Sequence, residues 1–246
     1  MLSADRVVLV LVEPQDVVNV GAVMRVMLNY GLHQLRVVNP TAALDPARLD
    51  DLAHRSQAII AALEVTRTLD EALADATYVV GATARRREEP IAVHSPRELA
   101  PTLVAQMQRG RLALVFGPES SGLTNAALDR CHARLTIPTA ADYRSLNLAQ
   151  AALIVCYELW LAADNLPPAP PPATPATHAQ TDAMFADLPQ ALTAIGFLKA
   201  GQAPTTMPRI RGLKPPAPTS AEETRVLHAT SPAINKSPPP TTSQQR

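Results

Sequence analysis

The sequence is short of cysteine, glycine, lysine and aromatics: 246 residues hold two Cys, nine Gly, three Lys, one Trp, three Phe and four Tyr. Cys131 and Cys156 lie far apart, without CxxC spacing, and the six histidines (His33, His54, His94, His132, His178, His228) are dispersed. Neither a disulfide framework nor a zinc site is supported, so no metal is expected and a reducing cytoplasm is the expected location. The scarcity of aromatics argues against a platform on which nucleic-acid bases stack. The 22 basic and 22 acidic residues cancel, so any RNA must be held by a local patch and by phosphate recognition. Long hydrophobic runs are also missing. The first apolar run, Val7 to Val12, follows Asp5 and Arg6 and lacks a leader-like pattern. The most apolar stretch, Leu146 to Ala163, carries Asn147, Gln150 and Glu158. It falls short of the roughly 20 apolar residues of a membrane span and reads as a buried core helix.

What is abundant is aliphatic: 47% of residues are hydrophobic, enough for a substantial core. Proline is abundant too, but only eight of the 24 precede Asp164, and all three lysines (Lys199, Lys214, Lys236) follow it. This break predicts a folded domain over residues 1–163, a Pro-rich linker over 164–180, a helical extension over 181–214 and a largely disordered tail over 215–246. In the extension, Phe185, Leu188, Leu192 and Ile195 share one helical face interrupted by Pro189.

Within the first 163 residues, Val/Ile/Leu-rich runs alternate with helical patterns, which predicts an α/β fold with a mainly parallel sheet. Strands are expected at Arg6 to Val12, Gln34 to Val38, Glu64 to Thr68, Thr77 to Gly81, Arg111 to Phe116 and Ala133 to Ile137. Helices are expected at Asn19 to Tyr30, Arg48 to Ala62, Leu69 to Ala74, Pro96 to Arg109, Thr124 to Cys131 and Asn147 to Ala163.

Three segments can carry chemistry. In the first, EPQDVVNVGAVMRVMLNYG, Asn19 suits an N-cap and Gly31 a C′ position. Val20, Val23, Met24 and Met27 share one face and Arg25 and Asn29 the other. Arg25 is either a solvated surface residue or a guanidinium held near a phosphate or ribose. In the second, LALVFGPESSGLT, an apolar strand runs into Gly117, Pro118, Glu119 and Gly122 before a helix. This is either an ordinary turn or a ligand crevice at the carboxyl end of a strand, and it matches neither GxGxxG nor a P-loop. In the third, IPTAADYRSLNLAQAALIVCYEL, Ser145 and Asn147 precede the longest apolar helix, and either serves equally as its N-cap. Ser145 has no histidine at motif spacing, which disfavours a hydrolase nucleophile.

In this order the segments resemble the SpoU (TrmH) family of the SPOUT superfamily. The matching positions are Asn19-x-Gly21-x-x-x-Arg25, Phe116-Gly117-x-Glu119-x-x-Gly122-Leu123, and Ile137-Pro138 with Ser145-Leu146-Asn147-Leu148-Ala149 and Tyr157-Glu158. The resemblance covers residues 5–163. Val79 to Arg87 and the C-terminal extension are most similar to the TrmJ branch, although Pro118 stands where that branch often carries Arg.

The resemblance implies S-adenosylmethionine-dependent 2′-O-ribose methylation of tRNA at anticodon-loop nucleotide 32, without metal. An rRNA methyltransferase of the same family and a noncatalytic RNA-binding paralogue are the alternatives. It implies a C-terminal trefoil knot and a homodimer, with cofactor held by Ala82, Thr83, Ala84, Gly117, Glu119, Gly122, Ile137, Ser145, Leu146 and Asn147. Arg25 matches the catalytic arginine, with Asn19, Glu119, Ser145 and Asn147 in support. RNA phosphates are expected at Arg25, Arg85, Arg86, Arg87, Arg209, Arg211 and Lys214, although Glu88 and Glu89 self-neutralise the Arg85 run.

Overall fold

A computed structural model of the chain describes residues 3–84, 93–164, 175–199, 202–212, 220, 221, 224–226 and 228. Its central feature is a seven-stranded parallel sheet built from β1 (Val7–Val12), β2 (Gln34–Val38), β3 (Glu64–Thr66), β4 (Tyr78–Ala82), β5 (Val93–His94), β6 (Leu112–Phe116) and β7 (Ala133–Leu135). The order is β3-β2-β1-β6-β4-β7-β5. In the central register Leu9 pairs with Leu35 of β2 on one side and Leu114 of β6 on the other.

The strands read as unbroken aliphatic runs because both faces of the sheet are covered. Val7, Leu9 and Leu11 of β1 join one core with α1 (Val17–Asn29), α2 (Pro46–Leu52), α3 (Gln57–Ala61), α5 (Pro96–Arg109) and α7 (Leu148–Asp164). Val8 and Val10 face a smaller core under α4 (Leu69–Leu73) and α6 (Asn125–Leu128). No described helix is long and apolar enough to cross a membrane.

Several expectations are corrected in detail. The N-cap of α1 is Asp16, whose side chain accepts from the Val18 N–H, so the helix begins two residues before Asn19 and frees that side chain for other work. Gly31 does take the left-handed C′ conformation, at φ 67°. The single helix expected over Arg48 to Ala62 is two, because the chain turns at Ala53–Ser56 with Arg55 left-handed at φ 69°. The turn lets Leu49 and Ile59 both reach the core. β5 was not foreseen: two residues are too few to show a period. Strands expected at Glu64 to Thr68 and Ala133 to Ile137 end two residues early, where the chain leaves the sheet.

Gly21 lies on the buried face of α1, and a Cβ there would stand 2.6 Å from Leu52 Cβ. It is the close approach of α1 and α2 that requires this glycine.

The chain divides into two units, residues 1–172 and 173–246. The second contains α8 (His178–Ala194) and α9 (Ala203–Gly212). Thr177 and Gln180 form a capping box at the start of α8, so this helix begins inside the stretch expected to be linker. Ile195, expected on its apolar face, is the exposed C-cap. α9 is clasped to α8 by Arg211, which donates to Asp182 at 2.9 Å and lies 4.6 Å over the Phe185 ring. Burial tends to raise the Asp182 pKa, but hydrogen bonds from His178 and Arg211 hold it well below the ordinary carboxylate range.

Gly21→Ala is expected to cost about 1–3 kcal/mol through overpacking against Leu52. Urea unfolding followed by circular dichroism checks this, and an unchanged midpoint would show that α2 shifts freely.

Candidate functional site

All strands run parallel, so the connections after β1, β4, β6 and β7 open at one edge of the sheet, the usual location of a ligand crevice in such folds. The three chemistry-bearing segments meet there. Asn19 Nδ2 donates to Glu119 Oε1 at 2.8 Å, and Asn147 Nδ2 donates to Asn19 Oδ1 at 2.8 Å. Asn147 Oδ1 then accepts from the Ala149 N–H at 2.9 Å, which makes Asn147 the N-cap of α7. The direction of this chain is fixed at both ends: a carboxylate only accepts and a backbone N–H only donates. Each amide between them therefore has one allowed orientation.

Glu119 is held from a second side. Its Oε2 accepts from the Gln15 N–H at 2.9 Å, while Gln15 Oε1 accepts from the Ser120 N–H at 3.3 Å. Burial tends to raise the Glu119 pKa, but the hydrogen bonds from Asn19 and the Gln15 backbone outweigh it and hold the carboxyl below its usual range. Gln15 lies outside every motif. Only its position one residue before the α1 N-cap hinted that it could reach across.

Beside this network is a cavity of about 260 Å³. Of the positions expected to hold cofactor, Ala82, Thr83, Ala84, Gly117, Glu119, Gly122, Ile137, Ser145 and Leu146 line it; Asn147 stands behind them in the hydrogen-bond chain. Gly117 is required sterically, since a Cβ there would meet the Gly122 carbonyl oxygen at 2.8 Å and the Leu123 backbone nitrogen more closely still. Gly122 is left-handed at φ 65°, and its N–H donates to the Pro118 carbonyl at 2.8 Å, closing the loop on itself.

The backbone of Thr83 is already engaged within the protein. Its N–H donates to the Leu135 carbonyl at 2.9 Å, and its carbonyl accepts from Thr136 Oγ1 at 2.7 Å. The sheet continues past the end of β4 and takes up these groups.

Arg25 is exposed on α1 and is absent from the cavity wall. Arg209 is exposed in the last turn of α9, whereas Arg211 is engaged in the α8–α9 clasp. Arg85, Arg86, Arg87 and Lys214 lie outside the described residues. The sequence reading missed Arg144, which lines the cavity immediately before Ser145. An isolated arginine in a polar loop gives no pattern by which to find it.

A family model described as the SpoU rRNA methylase family matches residues 6–157. The chain is 36% identical over 233 residues to the tRNA (cytidine/uridine-2′-O-)-methyltransferase TrmJ of Klebsiella pneumoniae, covering 92% of this chain and 94% of the relative. The crystal structure of TrmJ from Z. mobilis ZM4 aligns with a TM-score of 0.77 at 30% identity, over 93% of this chain and 99% of that one. A structure concerned with 2-OH methylation of C/U34 on tRNA aligns with a TM-score of 0.50 at 27% identity, over 65% and 91% of the two chains.

Glu119→Gln replaces an acceptor of two hydrogen bonds by a group that presents an N–H to one donor, and is expected to cost about 1–2 kcal/mol at neutral pH. Because the folded-state pKa lies below the ordinary 4.5, the carboxylate's contribution is complete above that value and is lost as pH falls through the folded pKa. Urea unfolding of both proteins from neutral pH down to about pH 3 should show the difference shrinking over that window; a gap independent of pH would contradict the assignment.

Proposed function

The chain belongs to the SpoU rRNA methylase family, and on that premise we propose that it methylates the ribose 2′-OH of a pyrimidine nucleotide in tRNA, using S-adenosylmethionine. The observation that carries the reading is the joining, through Glu119, Asn19 and Asn147, of three segments far apart in the chain, two of which line one cavity. The relatives named for tRNA (cytidine/uridine-2′-O-) methylation support the substrate.

The cavity suits the cofactor: its wall combines small residues such as Ala82, Ala84 and Gly117 with the apolar Phe116, Leu135 and Leu148. Thr83, Ala84, Gly117 to Gly122, Ile137 and Ser145 to Asn147 are the residues that would hold it. When bound, S-adenosylmethionine supplies an electrophilic methyl group. The chain's own contribution is to fix geometry, because an in-line transfer rewards reacting groups held at near-attack distance. Glu119 and Asn147, linked through Asn19, keep two walls of the cavity in register. Ser145, exposed on the rim, or a water beside it, is assigned to pass the proton leaving the 2′-OH on to solvent. Arg25 stands about 9 Å along α1 from Asn19, by the rise of an α-helix. A guanidinium only donates hydrogen bonds and has no acceptor for a proton, so we assign Arg25 to orienting an RNA phosphate and stabilising developing negative charge.

The target we assign is anticodon-loop nucleotide 32. Nucleotide 34 is the second reading, favoured by the neighbour concerned with C/U34. RNA phosphates are assigned to Arg25, Arg85, Arg86, Arg87, Arg209 and Lys214; Arg211 is assigned to holding α9 against α8. Residues 1–163 form the catalytic domain in this reading, 164–176 a spacer, 177–214 a helical extension and 215–246 a tail. We assign a cytoplasmic location in this reading, because the proposed substrate is tRNA and neither Cys131 nor Cys156 is in a disulfide. The trefoil knot is part of the same reading. Its support is the chain path: β7 lies beyond β4, and α7 returns to pack on α1 and α5.

A homodimer completes the proposal. Leu153, Tyr157 and Trp160 of α7, spaced four and three residues apart, are 39%, 45% and 40% exposed and form one apolar stripe. Leu153→Asp is expected to shift the protein to monomer in light scattering, with its secondary structure retained; an unchanged mass would remove this face from the interface.

Transfer of labelled methyl from S-adenosylmethionine to unmodified tRNA, with mapping of the modified nucleotide, tests the function. Arg25→Ala is expected to lower the rate by about 100-fold or more. Label on rRNA instead, or no transfer by the wild type, would overturn the tRNA assignment.

A further inference from the structure

The cavity beside Ser145 adjoins a second, of about 530 Å³, and Ala84, Ile137 and Arg144 belong to both walls. Arg144 is the charged residue at that junction. It is exposed, and its Nε donates to the Ala141 carbonyl at 3.2 Å, which folds the side chain back over its own loop. Among the described residues no carboxylate pairs with it. The acid on the second cavity's wall, Glu98, has its Oε2 occupied by the Ser95 N–H at 2.8 Å and Oγ at 2.9 Å, as the reciprocal half of the α5 capping box. A guanidinium without an acid partner, at the mouth of two joined cavities, offers its paired donors to an incoming anion.

We propose that Arg144 binds a phosphodiester of the RNA within one nucleotide of the ribose presented at Ser145. The proposal rests on the methyltransferase reading above and extends it to a residue that none of the three motifs contains. Arg144 is the immediate neighbour of Ser145, and consecutive Cα atoms lie 3.8 Å apart. A long side chain from Arg144 therefore reaches the backbone of the same or the adjacent nucleotide. The competing anion is the carboxylate of the cofactor. The exposure of Arg144 favours the phosphodiester: a surface cation gains from the dense charge of a polyanion and its released counterions, and little from one small carboxylate in water. A phosphate contact of this kind holds the RNA in register and reads no sequence.

The test uses the full chain with unmodified tRNA. Wild type, Arg144→Gln and Arg144→Lys are compared by fluorescence anisotropy with labelled tRNA at several salt concentrations, and by calorimetry with S-adenosylmethionine. Arg144→Gln is expected to weaken tRNA binding about fivefold near physiological salt and to flatten the log–log salt dependence by about 0.7–0.9, the loss of one phosphate contact. Arg144→Lys should restore most of the slope, and cofactor affinity should stay within about twofold for both variants. Parallel salt slopes with unchanged tRNA affinity would overturn the proposal and leave the methyltransferase reading intact. Weakened cofactor binding with normal tRNA binding would also overturn it, and would move Arg144 to the cofactor carboxylate. Wild-type protein that binds neither ligand would sink the reading and the proposal together, a result visible before any variant is compared.

Discussion

The site depends on a line of hydrogen bonds from Glu119 through Asn19 to Asn147 and the Ala149 N–H. It joins residues 100 and 128 positions apart in the chain, so it is formed only when β1, β6 and the start of α7 are all in place. Its two ends have fixed polarity, and Asn19 must donate at one atom and accept at the other. Aspartate could not donate, and serine lacks the reach. The side chain is free for this task only because Asp16 caps α1 in its place. A helix start shifted by two residues thus decides what Asn19 does.

The parallel sheet supplies the setting. The three connections that line the cavity, after β4, β6 and β7, leave the same edge, and the cover on both faces makes the strands aliphatic throughout. Two glycines of the recognisable motifs earn their place by sterics at this edge: Gly21 lets α1 approach Leu52, and Gly117 lets the 117–122 loop fold back against Gly122 and Leu123. The continuation of the sheet past β4 in turn occupies the Thr83 backbone, leaving side chains and the 117–122 loop to meet a ligand.

The second unit shows how a charge can mislead. Arg209 and Arg211 look equivalent in sequence, two basic residues near the end of one helix. In the fold Arg209 is exposed, while Arg211 pairs with Asp182 and stacks on Phe185. The distinction comes from α8, which presents an acid and an aromatic ring to one side of α9 only.

The α/β class, most strand positions and the buried face of α1 followed from local features: aliphatic runs and periods of three and four. These are legible because they reflect what each segment must do by itself, bury one face or turn tightly. Gln15, Arg144 and β5 were invisible for the opposite reason, since each has meaning only through a neighbour distant in the chain. The break between α2 and α3, the cap at Asp16 and the separate fates of Arg209 and Arg211 belong to the same group. Sequence by itself determined the α/β class and which residue types gather at the edge of the sheet. Tertiary structure alone decided which atoms meet, because the direction of a hydrogen bond and the reach of a side chain depend on packing that no local pattern encodes.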